Sequence, residues 1–418
     1  MTTTTAPNLA AQLGKLDAAQ NSYATQFVSE LLAAACQQGA SDVHLHPTAR
    51  GLEVRWRIDG VLQPVGTFPS GEAADVVSRL KVLAGLLTYR TDVPQEGRLG
   101  EVTGQETGVR SQEKKVEMRV STFPTLYGER AVVRIFAAEG RFLYPEELGL
   151  PGEVHAGLLR KLEETSGALL ITGPAGSGKT TTAYAAVRHL ARKVAGSKSL
   201  VSLEDPIEVA IPGVAQSQVN VAAGFDLAAG LRSLMRQDPE VILVGEIRDR
   251  PAAETAFQAA LTGHLVLTTF HASNCTSALS RLADLGIEPY LLRSGVRGVI
   301  SQRLVRRLCT CSQPIEREEQ KLGLPISGGR VAGKCEACSA TGYSGRLVLA
   351  ELLPPLEGDL ATAILARRDS QALFATAVRG GLIPLFTRAC QAVEAGQTDP
   401  AEIRRVLGFE IPGHGGES

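Results

Sequence analysis

The chain has 418 residues, more than one ordinary hydrophobic core organises, so its length predicts two domains with short additional segments. Its 43 Lys and Arg balance 44 Asp and Glu, a formal charge of −1, and this gives no bulk electrostatic reason to expect wrapping of nucleic acid or binding to an acidic membrane. No apolar run reaches the roughly 20 residues of a membrane helix, and the Thr- and Ala-rich start lacks a signal-peptide pattern. We therefore expect a cytoplasmic protein without direct membrane insertion.

The chain begins with a segment that is poor in large apolar residues. We predict that residues 1–20 form a flexible arm. Apolar residues at three- and four-residue spacing over 27–36 then predict a helix that ends at Gly39. Alternating apolar and charged residues over 53–59, followed by the turn pair Asp59-Gly60, predict a β-hairpin.

The same region continues with a mixed helix and strand pattern. Helical spacing returns over 74–87, and two further strands are predicted at 116–120 and 131–136, with residues 121–130 as the loop between them. Residues 21–140 are therefore predicted to form a small α+β domain.

Beyond a turn-rich linker at 141–155, the pattern changes to that of an α/β domain over 156–418. Short apolar runs alternate with helical patterns, which is typical of a parallel sheet that is covered on both faces. These runs are 169–172, 200–203, 241–244 and 265–269. Short amphipathic patterns with glycine stops predict a helical part over 355–418.

The segment Gly-Pro-Ala-Gly-Ser-Gly-Lys-Thr follows the first of these strands and precedes a helix, as a P-loop does. Its glycines allow backbone N–H groups to surround a β-phosphate at the positive end of the helix. Lys179 is expected to reach the β- and γ-phosphates of ATP, and the Thr180 hydroxyl to ligate Mg²⁺. A glycine-rich turn without a ligand is the alternative. The predicted nucleotide-binding residues are Gly173, Pro174, Ala175, Gly176, Ser177, Gly178, Lys179, Thr180 and Thr181.

An acidic residue follows the strand at 241–244. Such strands in P-loop proteins usually end in Asp, but here Gly245 and then Glu246 occupy the end. We infer that the metal is held partly through water and that Glu246 orients or activates the attacking water. A helix-capping role for Glu246 is the alternative.

Further motifs follow in a fixed order: Glu204-Asp-Pro-Ile-Glu208, LRSLMRQDPE at 231–240, VGEIRD at 244–249, and a stretch ending in His271. In order and spacing, these motifs and the P-loop resemble the ATPase superfamily of type II secretion and type IV pilus assembly. The resemblance covers most of 40–410. It implies a RecA-like core, a homohexameric ring, and ATP hydrolysis that is coupled to domain rotation.

The resemblance also implies roles for single residues. Glu204 and Glu208 are expected near the metal and water of the nucleotide, Glu246 is the expected catalytic acid, and His271 is expected to sense the γ-phosphate. His264 is expected to line the same cleft. Carboxylates hold water and Mg²⁺, and an imidazole donates to a phosphate oxygen. Structural packing remains the alternative for both histidines.

The N-terminal motifs SDVHLHP, RIDG and PQEGR, and the run from Arg119 to Ile135, resemble the PAS-like domain that caps the ATP site in this family. The resemblance implies that Arg119, Arg130 and Arg134 act across the ring, with Arg98 as a weaker candidate. An arginine beside the γ-phosphate stabilises charge in the transition state. A solvated strand face or salt bridges are the alternative.

Four of the seven cysteines are close in sequence, which suits a reducing compartment. Cys309 and Cys311 form one pair and Cys335 and Cys338 another, and four thiolates suit tetrahedral Zn²⁺ in a closed, structural site. The resembled family carries a tetracysteine module here, which we place at 305–350. The first pair is C-x-C where C-x-x-C is usual, and reduced buried thiols are the alternative to zinc.

Two further departures from the family pattern concern the nucleotide domain and the N-terminus. Residues 272–275 read ASNC where Thr-Asn-Asp is more usual after the histidine. About 40 residues precede SDVHLHP, which is too few for the additional N-terminal domain of many members, so we expect a shortened form.

The resemblance implies a motor that lies at the inner membrane through a platform protein, and the cysteine module favours assembly over pilus retraction. A nucleic-acid translocase on the same core is the competing hypothesis, and stimulation of ATPase activity by DNA would discriminate it. A nucleotide-binding scaffold without hydrolysis is a third.

Overall fold

The computed structural model describes residues 6–71, 75–99, 116–136 and 142–409. The chain separates into two compact units, Met1–Gly140 and Arg141–Ser418, which are described in turn. Predictions for residues 1–5, for the junction at 137–141 and for 410–418 lie outside the described residues.

The first unit contains a six-stranded sheet in the order β3-β2-β1-β6-β5-β4, in which all neighbours are antiparallel. Three helices pack against its apolar face. The elements are α1 (Ala6–Leu13), α2 (Tyr23–Gln37), β1 (Asp42–Thr48), β2 (Gly51–Ile58), β3 (Val61–Phe68), α3 (Val76–Leu83), β4 (Gln95–Leu99), β5 (Glu117–Thr125) and β6 (Gly128–Phe136).

The alternating sequence explains which face of this sheet is buried. Val43 and Leu45 of β1 are buried and lie opposite Trp56 and Val54 of β2, which are also buried. Because side chains alternate along a strand, Asp42 lies on the other face. The predicted hairpin is present: Ile58 pairs with Val61, and Asp59 and Gly60 both adopt the positive φ that a tight two-residue turn requires.

Two expectations for this unit are wrong. The described part of the predicted flexible arm contains the helix α1, because Leu9 and Leu13 lie one helical turn apart and are both buried in the core. The predicted loop at 121–130 is instead mostly strand, since β5 and β6 pair as far as Thr125 and Gly128. Only two residues remain for the turn between them.

The second unit contains a seven-stranded sheet in the order β15-β12-β7-β11-β10-β8-β9. All neighbours are parallel except β12 and β15, which are antiparallel. A two-stranded ribbon, β13 with β14, lies apart from the sheet. The strands are β7 (Gly167–Thr172), β8 (Leu200–Glu204), β9 (Ala215–Gln218), β10 (Val241–Glu246), β11 (Leu265–Phe270), β12 (Val296–Leu308), β13 (Gln313–Pro314), β14 (Arg330–Val331) and β15 (Tyr343–Leu352).

Helices cover both faces of this sheet. Leu170 of β7 belongs to one buried cluster and its neighbours Leu169 and Ile171 belong to another, so both faces of the strand are buried. The fold is therefore α/β with a largely parallel sheet, as predicted. The helices are α4 (Gly152–Lys161), α5 (Lys179–Val194), α6 (Leu227–Leu234), α7 (Arg250–Leu261), α8 (Cys275–Asp284), α9 (Pro289–Gly295), α10 (Gly358–Leu365), α11 (Ser370–Arg379), α12 (Leu385–Glu394) and α13 (Pro400–Leu407).

A separate core forms where α12 and α13 meet the ends of β12 and β15. Val305 and Leu349 from the strands pack with Leu385, Val393 and Ile403 from the helices.

Helices with the length and hydrophobicity that a bilayer span requires are absent from the described part of the chain.

Candidate nucleotide site and cysteine cluster

The candidate residues for ATP chemistry follow four adjacent parallel strands. In the sheet order β7-β11-β10-β8, these strands lead into the P-loop at Gly173, into His271, and end at Glu246 and Glu204. Because parallel strands present their carboxyl ends at one edge, segments that are distant in sequence meet there. We call this the carboxyl edge.

The P-loop has the geometry of a phosphate cradle. Gly173 has no room for a side chain, since a Cβ there would lie 2.5 Å from the Ser177 Oγ and 2.6 Å from the Gln302 carbonyl oxygen. Gly178 caps the N-terminus of α5 with φ of 87°, a conformation that favours glycine. Thr180 and Thr181 are exposed on the first turn of α5, and the Ser177 hydroxyl is buried without a described hydrogen bond. These features fit a bound phosphate and a hydroxyl ligand for Mg²⁺.

Lys179, His271 and Glu246 form one connected group. The Lys179 ammonium donates to the carbonyl oxygens of Gly173 and Pro174, at 3.0 Å each, and lies 3.4 Å from His271 Nδ1. His271 Nε2 lies 2.7 Å from Glu246 Oε1. The pKa of the Lys179 ammonium lies below its ordinary value. Burial is the largest cause and lowers it, Glu246 raises it, and the nearby cation Arg303 lowers it. The arrangement joins the P-loop lysine to the Glu246 carboxylate through the His271 imidazole.

Gly245, at the end of β10, fits closely against β8. A Cβ on Gly245 would lie 3.2 Å from the Glu204 Cα, a tight contact for a side chain. The next residue, Glu246, carries the carboxylate, and its Oε2 accepts from Arg248 Nε at 2.7 Å. The Arg248 guanidinium also lies 3.7 Å from Asp205.

Glu204 is almost fully buried and is bonded to protein groups. Its carboxylate accepts from the Tyr184 hydroxyl, from Ser202 Oγ at 2.6 Å and from Gln216 Nε2 at 3.1 Å. The Tyr184 hydroxyl accepts from the backbone N–H of Glu208 at 3.0 Å. Tyr184 lies on α5, so this network fixes the 204–208 segment to the P-loop helix.

The structure separates the two histidines. His264 precedes β11 and lies at the amino edge of the sheet, where its backbone oxygen accepts from Gly167 at the start of β7. Its Nδ1 lies 2.9 Å from the Ala259 carbonyl oxygen. The expectation that His264 lines the nucleotide cleft is therefore wrong, because His271 follows the opposite end of the same strand.

The candidate arginines of the first unit form a row across its sheet. Arg98 lies opposite Arg119, Arg119 opposite Arg134, and Arg134 opposite Asp42 in the register of β4, β5, β6 and β1. Directly opposed residues share a face of the sheet, so this row lies on the face that does not contribute to the core. Asp42 continues the row to Arg57 on β2.

Acidic neighbours pair with this row. Glu117 lies 3.1 Å from Arg119 and Asp42 lies 3.1 Å from Arg134. The guanidinium of Arg130 lies 3.3 Å from His44 Nδ1. Both Asp42 and His44 belong to the SDVHLHP motif, so that motif supports the arginines of the exposed face.

The four cysteines of the predicted module come together. The Sγ atoms of Cys309, Cys311, Cys335 and Cys338 all lie within 4.8 Å of one another, and the separations between Cys309 and Cys335 and between Cys311 and Cys338 are 3.7 and 3.8 Å. Sulfurs at 2.3 Å from one zinc ion are about 3.8 Å apart in a tetrahedron. The C-x-C pair therefore fits the geometry of a four-thiolate site.

Hydrogen bonds favour the ionised form of Cys338, whereas burial and the neighbouring thiols raise the pKa of Cys311. The Gly342 N–H donates to the Cys338 Sγ at 3.2 Å. Burial raises the pKa of the Cys338 thiol, but backbone hydrogen bonds at Cys335 and Gly342 outweigh burial and lower that pKa to about 6. Zinc binds the thiolate form of cysteine.

The structure adds residues that the sequence analysis did not identify. Gln302 on β12 donates to the Ser177 carbonyl oxygen at 2.8 Å and accepts from Thr182 Oγ1 at 2.9 Å, which holds the P-loop to the neighbouring strand. Tyr184 holds the 204–208 segment, as described above. Neither residue lies in a motif with a known phosphate or metal chemistry. The only indication in the sequence was a polar side chain within an otherwise apolar pattern.

A parallel sheet with a P-loop between β7 and α5, and an acidic residue at the end of β10, two strands along the sheet, is the arrangement of the P-loop ATPase class. The comparison with protein families is more specific: the family described as "Type II/IV secretion system protein" matches residues 17–405. The chain belongs to this family.

Similar curated proteins include the type II secretion system protein HxcR of Pseudomonas aeruginosa, 38% identical over 391 residues, or 94% of this chain and 79% of the relative. The type II secretion system ATPase E of Vibrio cholerae is 40% identical over 337 residues, 78% of this chain and 64% of the relative. The type IV pilus assembly ATPase PilB of Thermus thermophilus is 38% identical over 370 residues, 86% of this chain but only 40% of the relative. The competing nucleic-acid function finds no support among these relatives.

Solved structures support the same fold. The Legionella pneumophila ATPase DotB superposes with a TM-score of 0.65 at 19% identity, covering 91% of this chain and 94% of that one. The pilus retraction motor PilT with bound ADP gives 0.54 at 24% identity, covering 90% and 98%.

Proposed function

We propose that this chain hydrolyses ATP as a homohexamer and drives assembly of a type II secretion pseudopilus or a type IV pilus. The carrying observation is the connected group at the carboxyl edge, where His271 lies between Lys179 and Glu246. Membership in the secretion family supports the motor role.

We assign the chemistry of hydrolysis to this group. Lys179 neutralises the β- and γ-phosphates, and its present carbonyl partners are exchanged for phosphate oxygens when ATP binds. Glu246 accepts a proton from the attacking water or orients it, and His271 reports the γ-phosphate through its contact with Glu246. The Thr180 hydroxyl would ligate Mg²⁺, which supplies positive charge at the phosphates.

Glu204 and Glu208 take a supporting role in this proposal. Glu204 accepts hydrogen bonds from Tyr184, Ser202 and Gln216, so its oxygens are occupied by protein donors. We infer that it positions the 204–208 segment, through Tyr184 and the backbone of Glu208, beside the metal and water.

The arginine row supports a ring. Arg119, Arg130 and Arg134 lie on the face of the first unit that does not contribute to its core, together with Arg98, and we propose that they contact the γ-phosphate bound by a neighbouring subunit. Each arginine has an acidic or imidazole partner that holds its side chain in place in the absence of phosphate.

We also propose that the cysteine cluster binds structural Zn²⁺ and that the ring acts on an inner-membrane platform protein from the cytoplasmic side. The 3.6–3.8 Å separations of neighbouring sulfurs support zinc. All four sulfurs are protein ligands, so the site leaves no open coordination position for catalysis.

The first experiment measures ATPase rate as a function of protein concentration, with mass by light scattering and Lys179→Ala as the control. We expect activity to rise with a hexamer-sized species and to be lost, with tight nucleotide binding, in the variant. Activity that is independent of Lys179 would contradict the proposal, as would a monomer with full activity. Stimulation by DNA instead of by a platform domain would favour the translocase.

A further inference from the structure

Glu351 is a buried carboxylate of the second unit that the proposed chemistry does not use. It lies on β15 and is 1% exposed. Its Oε1 accepts from the backbone N–H of Cys275 at 2.8 Å, and its Oε2 accepts from the backbone N–H of Leu385 at 3.0 Å. These two residues begin α8 and α12, so one carboxylate joins the N-termini of two helices.

The two helices need this acceptor. The first N–H groups of a helix have no partner within the helix, and its N-terminus carries partial positive charge. The N-cap residue of α12 is Pro384, which makes no side-chain hydrogen bond to the helix. In α8, Asn274 accepts from the N–H of Ser277, and the N–H of Cys275 is satisfied by Glu351.

The segment between His271 and α8 is held at three backbone positions. Arg281 donates to the His271 carbonyl oxygen at 2.9 Å, Arg303 donates to the Ser273 carbonyl oxygen at 2.6 Å, and Glu351 accepts from Cys275. The His271 side chain remains 44% exposed at the carboxyl edge. Its backbone is therefore fixed while its imidazole stays accessible.

The other partner of Glu351, α12, belongs to a different part of the fold. Leu385, Ala389 and Val393 pack with Leu324 and Ile326, which lie between the two cysteine pairs. A displacement of the cysteine module would thus act on α12, and the carboxylate of Glu351 connects α12 to the backbone after His271.

We propose that Glu351 is a positioning residue that fixes the His271 segment by joining α8 to α12. Through α12, it couples His271 to the chain between the two cysteine pairs. This inference rests on the proposed role of His271 in hydrolysis. Glu351 itself contacts no nucleotide.

The test is Glu351→Gln in the full chain. Glutamine keeps the shape but places an NH₂ group against one of the two backbone N–H donors, which leaves that amide unpaired. We expect kcat to fall about tenfold while KM for ATP stays within about twofold. Amide hydrogen exchange should rise at both 271–277 and 384–388. In a His271→Ala background, Glu351→Gln should cause no further loss of kcat.

Glu402→Gln is the matched control, since it makes the same change at another fully buried carboxylate of this unit, on α13. It should lower the unfolding temperature but keep the parent kcat. Should Glu351→Gln fold poorly, Glu351→Asp keeps the charge with a shorter reach, and a smaller loss of kcat with the same two exchange changes is expected.

Parent kcat in a folded Glu351 variant would overturn the inference. So would a loss that multiplies with that of His271→Ala, or faster exchange at only one of the two helices. Failure of the proposed function is distinguishable, because the parent would then lack Lys179-dependent ATPase activity while the exchange measurement still decides whether Glu351 joins the helices.

Discussion

At the carboxyl edge, His271 is 44% exposed, and the Lys179 ammonium takes backbone carbonyls as its acceptors. Near the cysteine module the polar groups are arranged differently. Glu402 of α13 is fully buried and accepts from Arg306 at 2.7 Å, while Arg306 lies 3.7 Å from the centre of the Tyr343 ring. The Tyr343 hydroxyl in turn donates to Asp399, which caps α13.

Polar residues therefore serve two purposes in one domain: those at the carboxyl edge are available to a ligand, and those around α13 hold the fold together. The Lys179 ammonium at the carboxyl edge can exchange its partners for phosphate oxygens at low cost, because those partners are two backbone carbonyls and an exposed imidazole. Groups around α13 are largely buried and satisfied by one another, so losing one of them removes a hydrogen-bond partner from a buried group. Substitutions at the edge should therefore change turnover, and substitutions near the module should change stability.

The largest effect is expected for Glu246→Gln at the carboxyl edge. Turnover should fall about a thousandfold because the carboxylate that prepares the water is lost. Bound ATP should accumulate, since Lys179 and the P-loop are intact. Single-turnover kinetics with labelled ATP measures both, with thermal unfolding unchanged. Hydrolysis at the parent rate would mean that another group activates the water.

Arg119→Ala should have the next largest effect and should depend on assembly. We expect ring turnover to fall about a hundredfold, less than the full contribution of a transition-state arginine, because Arg130 and Arg134 remain. Nucleotide binding should stay within about twofold. Mixed rings of Arg119→Ala and Lys179→Ala subunits provide the measurement: activity should recover where an intact arginine meets an intact P-loop. No recovery would place Arg119 outside the neighbouring site.

Cys309→Ser should lower the stability of the fold with little change in ATP turnover. Loss of one thiolate ligand should release zinc and lower the free energy of unfolding by on the order of 3 kcal/mol. Metal content by atomic emission and thermal unfolding measure this. Cys36→Ser, at a free thiol outside the cluster, is the control and should keep both values. Equal metal content in both variants would contradict the zinc proposal.

The smallest effect is expected from the pH dependence at Glu402. Burial raises the pKa of this carboxyl, but hydrogen bonds from Arg405 and Arg306 outweigh burial and hold the pKa below its usual value. The lowered pKa stabilises the folded state above the ordinary carboxyl pKa, and this contribution is lost as pH falls toward the lowered value. The stability gap between the parent and Glu402→Gln, on the order of 1–2 kcal/mol at pH 7, should therefore narrow in acid. Chemical denaturation from pH 7 to 3 measures it, and a gap that is independent of pH would show that the charge of Glu402 contributes nothing.

The sequence was most informative where a buried strand gives a continuous run of apolar residues. The apolar runs at 169–172 and 265–269 correspond to β7 and β11, because strands buried on both faces must be continuously apolar. The P-loop and the cysteine pairs were predictable because their chemistry demands particular residues at fixed spacing.

The sequence was least informative where a polar residue serves a contact that is distant in the chain. Glu351 binds backbone amides 76 and 34 residues away, and Gln302 binds the Ser177 carbonyl 125 residues away, so no local pattern predicts either role. His264 was misplaced because the resemblance put both histidines in one cleft, whereas β11 runs between them and separates them to opposite edges of the sheet.

The strand β12 has a consequence for the exchange of parts between related motors. It carries Gln302 beside the P-loop and leads without interruption to Cys309 of the cysteine cluster. A chimera that joins the cysteine module of one relative to the ATPase core of another within β12 would cut a central strand of the sheet. The exposed segment at 316–319, between the two cysteine pairs, is a better place for a fluorescent tag.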